Sequence, residues 1–285
     1  MIETTPEGFK ILVGTDGSKQ FMIDSNRIDE CIAFIRKNDL TYIGINSFIG
    51  FKSLSLDFLL DLADFVEGIS IPEDHFDISV LNNLHKLVFL GFADDRKSDI
   101  DLSNFPHLSK LACEYTSRLH SLEACEELRD LSLTNFKPEK ANLSQLPVLT
   151  SLQSLSLFVT NIDSLTGIEK FRHLESCSIY KASKLENITA LSNVRLTLKS
   201  LELENCKKIK SYDALNELVE LERLIISKSS PLRSVKFVKS LDRLDFFSFV
   251  GTNVEDGDLS PCVGLSYVGF DDRKHYNRKF KASAV

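Results

Sequence analysis

The fold is decided by the stretch Leu128-Arg129-Asp130-Leu131-Ser132-Leu133, because its Leu-x-x-Leu-x-Leu frame returns along the chain. The frame is repeated at Leu152, Leu155 and Leu157, at Leu174, Cys177 and Ile179, and at Leu198, Leu201 and Leu203. Each frame begins 20 to 24 residues after the start of the previous one. A unit of that length cannot bury its apolar face alone, so the pattern predicts a stack of repeats in place of separate globules.

Within each frame, the two apolar residues separated by one position predict a strand, and both of them should point inward because strand side chains alternate. We place these pairs at Ile43/Ile45, Ile69/Ile71, Leu87/Phe89, Leu111/Cys113, Leu131/Leu133, Leu155/Leu157, Cys177/Ile179, Leu201/Leu203, Leu224/Ile226, Leu244/Phe246 and Val268/Phe270. The chain returns between strands in about a dozen residues, which leaves room only for single helical or 3₁₀ turns. An exception is residues 55–66, whose apolar spacing predicts a true helix.

This pattern resembles the leucine-rich repeat family, in the style of its short-repeat, internalin-like bacterial members. The resemblance implies an α/β solenoid curved like a horseshoe, with a parallel β-sheet on the concave face and short helical or 3₁₀ turns on the convex face. Family members carry Asn or Cys after the strand, where the side chain hydrogen-bonds the loop backbone. The matching positions here hold Thr116, Thr160, Cys206 and Ser229, but also Phe48, Phe92, Phe136 and Phe249, which we interpret as apolar fillers.

The first 39 residues do not follow the repeat. Apolar runs at 9–13 and 21–23, around the turn 14–17, predict a β-hairpin. A helix should follow with Ser25 or Asn26 as its N-cap and an apolar stripe at Ile28, Cys31, Ile32 and Ile35. We therefore expect an N-terminal hairpin-and-helix cap at 1–39, about eleven repeats at 40–274 and a C-terminal tail at 275–285. The motif Gly91-Phe92 is echoed at Gly269-Phe270, but at different offsets from the predicted strands. Either the last predicted strand is misplaced or the echo is chance, and we favour chance.

Composition restricts the class of partner and the compartment. The formal net charge is −7 and the pI is near 5.5, which disfavours nucleic acid because phosphate binding needs a basic face. The N-terminus lacks the features of a secretory signal and no apolar run reaches the length of a membrane span, so we expect a cytoplasmic protein without a membrane partner. Cys113, Cys125 and Cys177 fall on apolar repeat positions and are predicted to be buried, in keeping with a reducing compartment.

Signatures of catalysis and of cofactor binding are not present in the sequence. We find no phosphate-binding glycine loop, dinucleotide fingerprint, zinc-protease helix or nucleophile elbow. His107 and His173 occupy the same slot before a repeat and are predicted to be structural. Asp94, Asp95 and Asp99 resemble a cation-binding loop only loosely, and we interpret them as a solvated acidic loop. The sequence thus predicts a non-enzymatic protein with no cofactor and no metal.

The outward positions of the predicted strands supply the candidate site. Serines form the middle of this surface, flanked by aromatic and charged residues, which is a composition found at protein interfaces. The predicted partner-binding residues are Phe158, Tyr180, Glu202, Glu204, Arg223, Arg243, Asp245 and Phe247.

We accordingly expect a protein–protein interaction module that binds its partner on the concave face, with a bacterial toxin-immunity protein or an adaptor as the candidate roles. The alternative is a regulatory subunit of an intracellular enzyme such as a phosphatase. An enzyme that uses Glu202, Glu204 and Asp245 as paired carboxylates is the third hypothesis, which an open sheet disfavours because it excludes no water.

Overall fold

The computed structural model describes residues 1–14 and 17–279. Two residues of the predicted hairpin turn (15 and 16) and the last part of the predicted tail (280–285) lie outside the described residues. The chain divides into two compact units, Met1–Arg129 and Asp130–Val285, which are described separately. No helix in the described ranges is long and apolar enough to cross a membrane.

The first unit begins with an antiparallel ribbon and continues as a parallel sheet. Its strands are β1 (Ile2–Thr4), β2 (Lys10–Val13), β3 (Lys19–Met22), β4 (Tyr42–Gly44), β5 (Gly68–Ile71), β6 (Phe89–Phe92), β7 (Ile100–Asp101), β8 (Lys110–Glu114) and β9 (Leu119–His120). Strands β1, β2 and β3 pair antiparallel, and β3, β4, β5, β6 and β8 then pair in parallel. The short strands β7 and β9 form a separate parallel pair. Strand β1 was not predicted from the sequence.

One α-helix, α1 (Ile28–Lys37), follows the antiparallel ribbon, with Cys31 and Ile35 buried. The predicted N-cap is wrong: the cap residue is Arg27, and it makes no side-chain capping hydrogen bond. Ser25 instead accepts a hydrogen bond from the Lys52 backbone N–H, at 2.7 Å, and so is used to fix a neighbouring loop. The predicted helix at residues 55–66 is also wrong, because this segment forms a 3₁₀ helix only six residues long.

Strand β6 lies three residues further along the chain than predicted. The register pairs Ile69 with Leu90 and Ile71 with Phe92, so Leu90 and Phe92 are the inward pair in place of Leu87 and Phe89. Phe89 is half-buried and points outward. The error arose because Leu87-x-Phe89 also satisfies an apolar-x-apolar frame, although the buried Leu87 belongs to the turn before the strand.

The second unit is a regular parallel sheet in which every described strand pairs with the next one along the chain. Its strands are β10 (Asp130–Thr134), β11 (Ser154–Thr160), β12 (Ser176–Ala182), β13 (Ser200–Glu204), β14 (Arg223–Ser227), β15 (Phe246–Ser248) and β16 (Tyr267–Gly269). The pairs Leu155/Leu157 and Leu201/Leu203 are fully buried, as predicted. Each such leucine contributes roughly 1.5–3 kcal/mol through removal of its side chain from water.

Strand β15 also differs from the prediction, by three residues. Leu224 pairs with Phe247, so Phe247 and Phe249 are the inward pair in place of Leu244 and Phe246. With β6 and β15 in their observed registers, Gly91 and Gly269 occupy equivalent positions between the two inward residues of their strands. The interpretation of the Gly-Phe echo as chance was therefore wrong, and the echo belongs to the repeat.

Short 3₁₀ helices connect the strands, as predicted. They span Asp57–Leu62, Ser79–Asn83, Leu102–Asn104, Leu122–Ala124, Leu143–Gln145, Ile168–Lys170, Thr189–Val194, Asp213–Glu217, Lys236–Ser240 and Ser260–Cys262. Gly167, just before one of them, has φ +103°, and a Cβ there would lie 2.5 Å from the Leu143 backbone carbon. The tight stacking of neighbouring turns therefore requires glycine at this position.

The loop position three residues after each inward pair is polar more often than we predicted from the sequence. Thr160 donates a hydrogen bond to the Phe136 carbonyl at 2.7 Å, and Ser229 donates to the Leu203 carbonyl at 3.0 Å. Because β6 and β15 are shifted, Asp95 and Thr252 take the places assigned to Phe92 and Phe249. The predicted filler Phe136 is indeed fully buried.

Two predictions about side chains near these loops are wrong. Phe48 was expected to fill the interior, but it is 90% exposed and Phe51 is buried in its stead. Asp94 and Asp95 were expected to be solvated, yet both are buried: Arg118 pairs with Asp94 at 2.6 Å, and Asp95 accepts backbone hydrogen bonds. In the described part of the chain, no group of three or more His, Cys, Asp or Glu side chains is arranged to hold a metal ion.

Candidate functional site

The outward side chains of the second unit form three rows on one sheet face, which we call the open face. The first row is Asp130, Ser154, Ser176, Ser200, Arg223, Phe246 and Tyr267. The second row is Ser132, Ser156, Ser178, Glu202, Ile225, Ser248 and Gly269. The third row is Thr134, Phe158, Tyr180, Glu204 and Ser227. Neighbours in a row are about 4.8 Å apart, the spacing of hydrogen-bonded strands.

Four of the predicted site residues form one group, the aromatic–acidic cluster: Phe158, Tyr180, Glu202 and Glu204. The rings of Phe158 and Tyr180 stack with centroids 4.6 Å apart and an interplanar angle of 2°. The Tyr180 hydroxyl donates a hydrogen bond to Glu202 Oε2 at 2.7 Å. Lys228 Nζ lies 3.2 Å from Glu204 Oε1 in a solvent-exposed ion pair. The sheet register thus brings two aromatic rings and two carboxylates onto neighbouring strands.

The backbone beside the aromatic ring of Phe158 is strained. The residue after each third-row side chain has a left-handed φ, and these residues are Asn135, Val159, Lys181, Asn205 and Lys228, with φ between 50° and 58°. Asparagine tolerates this region, but a β-branched residue such as Val159 is a genuine outlier there. Because the same conformation recurs after the third-row residue of five consecutive strands, it is a feature of the repeat, and only the β-branched side chain at Val159 is unusual.

A second aromatic group, the arginine stack, lies in the first row. The Arg223 guanidinium carbon is 3.8 Å from the centre of the Phe246 ring, and Phe246 stacks on Tyr267 with centroids 4.4 Å apart. Arg223 was predicted as a site residue, whereas Phe246 was not, because its strand was placed out of register. The sequence contained a signal for the correct register. If Phe249 is taken as the second inward residue, the polar Thr252 falls at the same repeat position as Thr160 and Ser229.

Three of the predicted site residues do not lie on the open face. Phe247 is fully buried, so the prediction that its ring faces outward is wrong. Arg243 and Asp245 precede β15 and so lie beyond the rows. Arg243 forms an ion pair with Glu220, and Asp245 accepts a hydrogen bond from Ser266 Oγ at 2.5 Å. Glu202 and Glu204 lie on β13, whereas Asp245 lies just before β15. The structure therefore does not bring the three carboxylates of the enzyme hypothesis together.

Tyr180 should lose its proton at unusually high pH. Burial of the hydroxyl and its hydrogen bond to Glu202 raise the pKa of Tyr180 to about 12. We expect Tyr180 to remain protonated at pH 11, where an ordinary tyrosine is mostly ionised because its pKa is about 10. Glu202→Gln should move this pKa towards the ordinary value, since it removes the nearby negative charge. Tyrosine ring signals followed by NMR across pH 9–12.5 measure both values, and an unchanged pKa in Glu202→Gln would contradict the predicted coupling.

Comparison with known proteins gives matches at the level of structure. No family model matches the chain, and no curated protein matches it. An internalin from Listeria monocytogenes is 18% identical, with a TM-score of 0.47 over 82% of this chain and 81% of that one. The functional domain of InlJ from Listeria monocytogenes is 15% identical, with a TM-score of 0.51 over 78% of this chain and 57% of that one. The ectodomain of the Arabidopsis thaliana receptor kinase GASSHO1/SCHENGEN3 is 14% identical, with a TM-score of 0.46 over 81% of this chain and 33% of that one.

At 15% identity the InlJ match bears on the fold alone, and this chain spans only 57% of that domain's length. The similarity to the InlJ domain agrees with the stacked parallel strands and the 3₁₀ returns of both units. The chain therefore has a leucine-rich repeat fold, and its structure is similar to that of the InlJ domain.

Proposed function

We propose that the open face of the second unit binds another protein. The observation that carries this proposal is the aromatic pair: Phe158 is 38% exposed and is stacked on Tyr180 in a surface row that is otherwise polar. Aromatic side chains held rigidly at the surface lose little conformational freedom on binding and are enriched in interface hot spots. The serines of the first and second rows allow a partner backbone to approach the sheet closely.

The proposed biological role is that of a toxin-immunity protein or an adaptor in a reducing, cytoplasmic setting. The cysteine side chains support the setting, because all six are buried and unpaired. Burial raises the pKa of the Cys177 and Cys206 thiols to about 12, which keeps them in the unreactive protonated form. A partner encoded beside this gene would support the immunity role, whereas a catalytic subunit would indicate the regulatory alternative.

The test is capture of a partner from a lysate of the native host by the wild-type chain and by Phe158→Asp/Tyr180→Asp. The two substitutions place two unpaired carboxylates at the centre of the proposed interface, so we expect the captured partner to be lost. Desolvation of such charges in an interface costs several kcal/mol, which corresponds to a loss of at least about a hundredfold in affinity.

The matched control is Leu196→Asp/Val263→Asp. These side chains are 67% and 66% exposed, lie outside the strands and receive the same change in charge. The control should unfold at the same urea concentration as the wild type, because its two side chains are exposed. The open-face variant should remain folded but unfold at a somewhat lower concentration, because it loses the stack between Phe158 and the half-buried Tyr180. A partner retained by the control and lost by the open-face variant supports the proposal. A partner retained by both variants, or no partner captured by the wild type, would contradict it.

A further inference from the structure

We propose that the aromatic–acidic cluster accepts an arginine side chain of the partner, stacked on the Tyr180 ring opposite Phe158 and paired with Glu202 and Glu204. This inference rests on the proposed function and specifies the chemistry that the open face recognises. It follows from a comparison of the two aromatic groups on the same sheet face, which share a Phe–Tyr stack but differ in the charged side chain beside it.

The arginine stack shows the complete arrangement. A guanidinium lies 3.8 Å from the centre of one ring, and that ring stacks on a second, almost parallel one. All three side chains are supplied by consecutive strands at the same row position. Side chains in one row are about 4.8 Å apart, the distance between neighbouring strands. Aromatic rings and guanidinium groups are both flat, so this spacing allows them to stack face to face along the row.

The aromatic–acidic cluster contains the same two rings without the cation. Phe158 and Tyr180 stack as Phe246 and Tyr267 do, but the charged residue lies on the other side of the pair: Arg223 precedes Phe246 in its row, whereas Glu204 follows Tyr180. A cation one strand spacing beyond Tyr180 would therefore lie above the Glu204 carboxylate. The ring face attracts it through the aromatic quadrupole, and the carboxylate attracts it through its charge.

Both carboxylates are prepared for a cation. The Tyr180 hydroxyl donates a hydrogen bond to Glu202 Oε2. This bond orients the carboxylate, and its other oxygen, Oε1, can accept a hydrogen bond from a cation. Glu204 is held by Lys228, whose side chain is 60% exposed. An exposed lysine pair of this kind contributes little, so an incoming cation can replace Lys228 at small cost. Lys228 shows that the site attracts positive charge within the chain itself.

Arginine fits this arrangement better than lysine. A guanidinium is planar and weakly hydrated, so it can stack on Tyr180 while its edge donates hydrogen bonds to carboxylates on either side. An ammonium is compact and strongly hydrated and cannot donate in the plane of a ring stack. An acidic partner group is excluded by repulsion from Glu202 and Glu204. The open face should thus select partners that present an arginine above β12 and β13.

The test is an NMR titration of the full chain with N-acetyl-arginine methylamide, observed at the ring protons of Phe158 and Tyr180. The neutral isostere N-acetyl-citrulline methylamide has the same shape and can stack, but it carries no charge. We expect saturable shifts for the arginine probe with an association constant about tenfold above that of the citrulline probe. Lysine methylamide should lie between the two.

The variant Glu202→Gln/Glu204→Gln keeps the size of both side chains and should abolish the preference for arginine over citrulline. The matched control is Phe246→Ala/Tyr267→Ala, which removes the rings of the arginine stack. It should not change the shifts of the Tyr180 ring protons on addition of the arginine probe. Equal binding of both probes to the wild type, or a preference for arginine that survives the Gln variant, overturns the inference. Such a result leaves partner capture by the open face intact, so the two proposals fail separately.

Discussion

Replacing Phe247 with alanine should lower the free energy of unfolding by about 3–5 kcal/mol, the cost of a cavity where a buried aromatic ring was. The ring has no solvent exposure and packs against Phe237 at 5.7 Å and Phe249 at 4.9 Å between ring centres. Because the second unit is a stack of similar layers, a cavity in one layer also weakens the layers on either side. Urea unfolding followed by far-ultraviolet circular dichroism measures the change.

The neighbouring residue provides the control. Phe246 lies on the open face between Arg223 and Tyr267, so Phe246→Ala removes surface stacking and should cost only about 1 kcal/mol. The two variants delete the same atoms from adjacent positions and differ only in the direction of the side chain. A larger loss for Phe246→Ala than for Phe247→Ala would contradict the observed register of β15.

The register of β15 illustrates where sequence reasoning reached its limit. A strand alternates with a period of two residues, so a run such as Leu244 to Phe249 offers more than one apolar-x-apolar pair. In β11 and β13 no such ambiguity exists, because serine or glutamate separates the two leucines and the flanking positions are polar or aromatic. The fold and the aromatic–acidic cluster could therefore be predicted from the repeat, whereas β6 and β15 required the hydrogen-bonded register.

Details that depend on the third dimension could not be predicted from the repeat either. The hydrogen bond from Tyr180 to Glu202 depends on how the tyrosine ring leans across two strands, which residue spacing does not specify. Phe48 matches the repeat position of a buried filler, but its loop places Phe51 inside. In both cases the loop or rotamer, and not the periodicity, decides which atoms meet.

Asp95→Ala should destabilise the first unit by at least about 3 kcal/mol, because it leaves several buried backbone donors without an acceptor. The Asp95 carboxylate accepts hydrogen bonds from the backbone N–H groups of Lys97 and Ser98, at 2.9 and 2.8 Å, and from that of Ile78 at 3.2 Å. The Ser98 hydroxyl donates a fourth, at 2.6 Å. Asp95→Asn retains one acceptor oxygen and should cost less. Urea unfolding at pH 7 measures both.

The same carboxylate should make stability depend on pH. Burial alone would raise the pKa of Asp95, but the hydrogen bonds from Ser98, Lys97 and Ile78 outweigh it, and the pKa of Asp95 in the folded protein is lowered. The stabilisation is therefore fully present above the unfolded-state pKa of about 4 and is lost as the pH falls through the lower folded-state pKa. Asp95→Ala should flatten the loss of stability as the pH falls below about 4, relative to the wild type. The exposed Asp99, which pairs with His120 at 3.1 Å, is the control: Asp99→Ala should change the free energy of unfolding at pH 7 by less than about 0.5 kcal/mol. If Asp95→Ala were as mild as Asp99→Ala, Asp95 would not hold this loop.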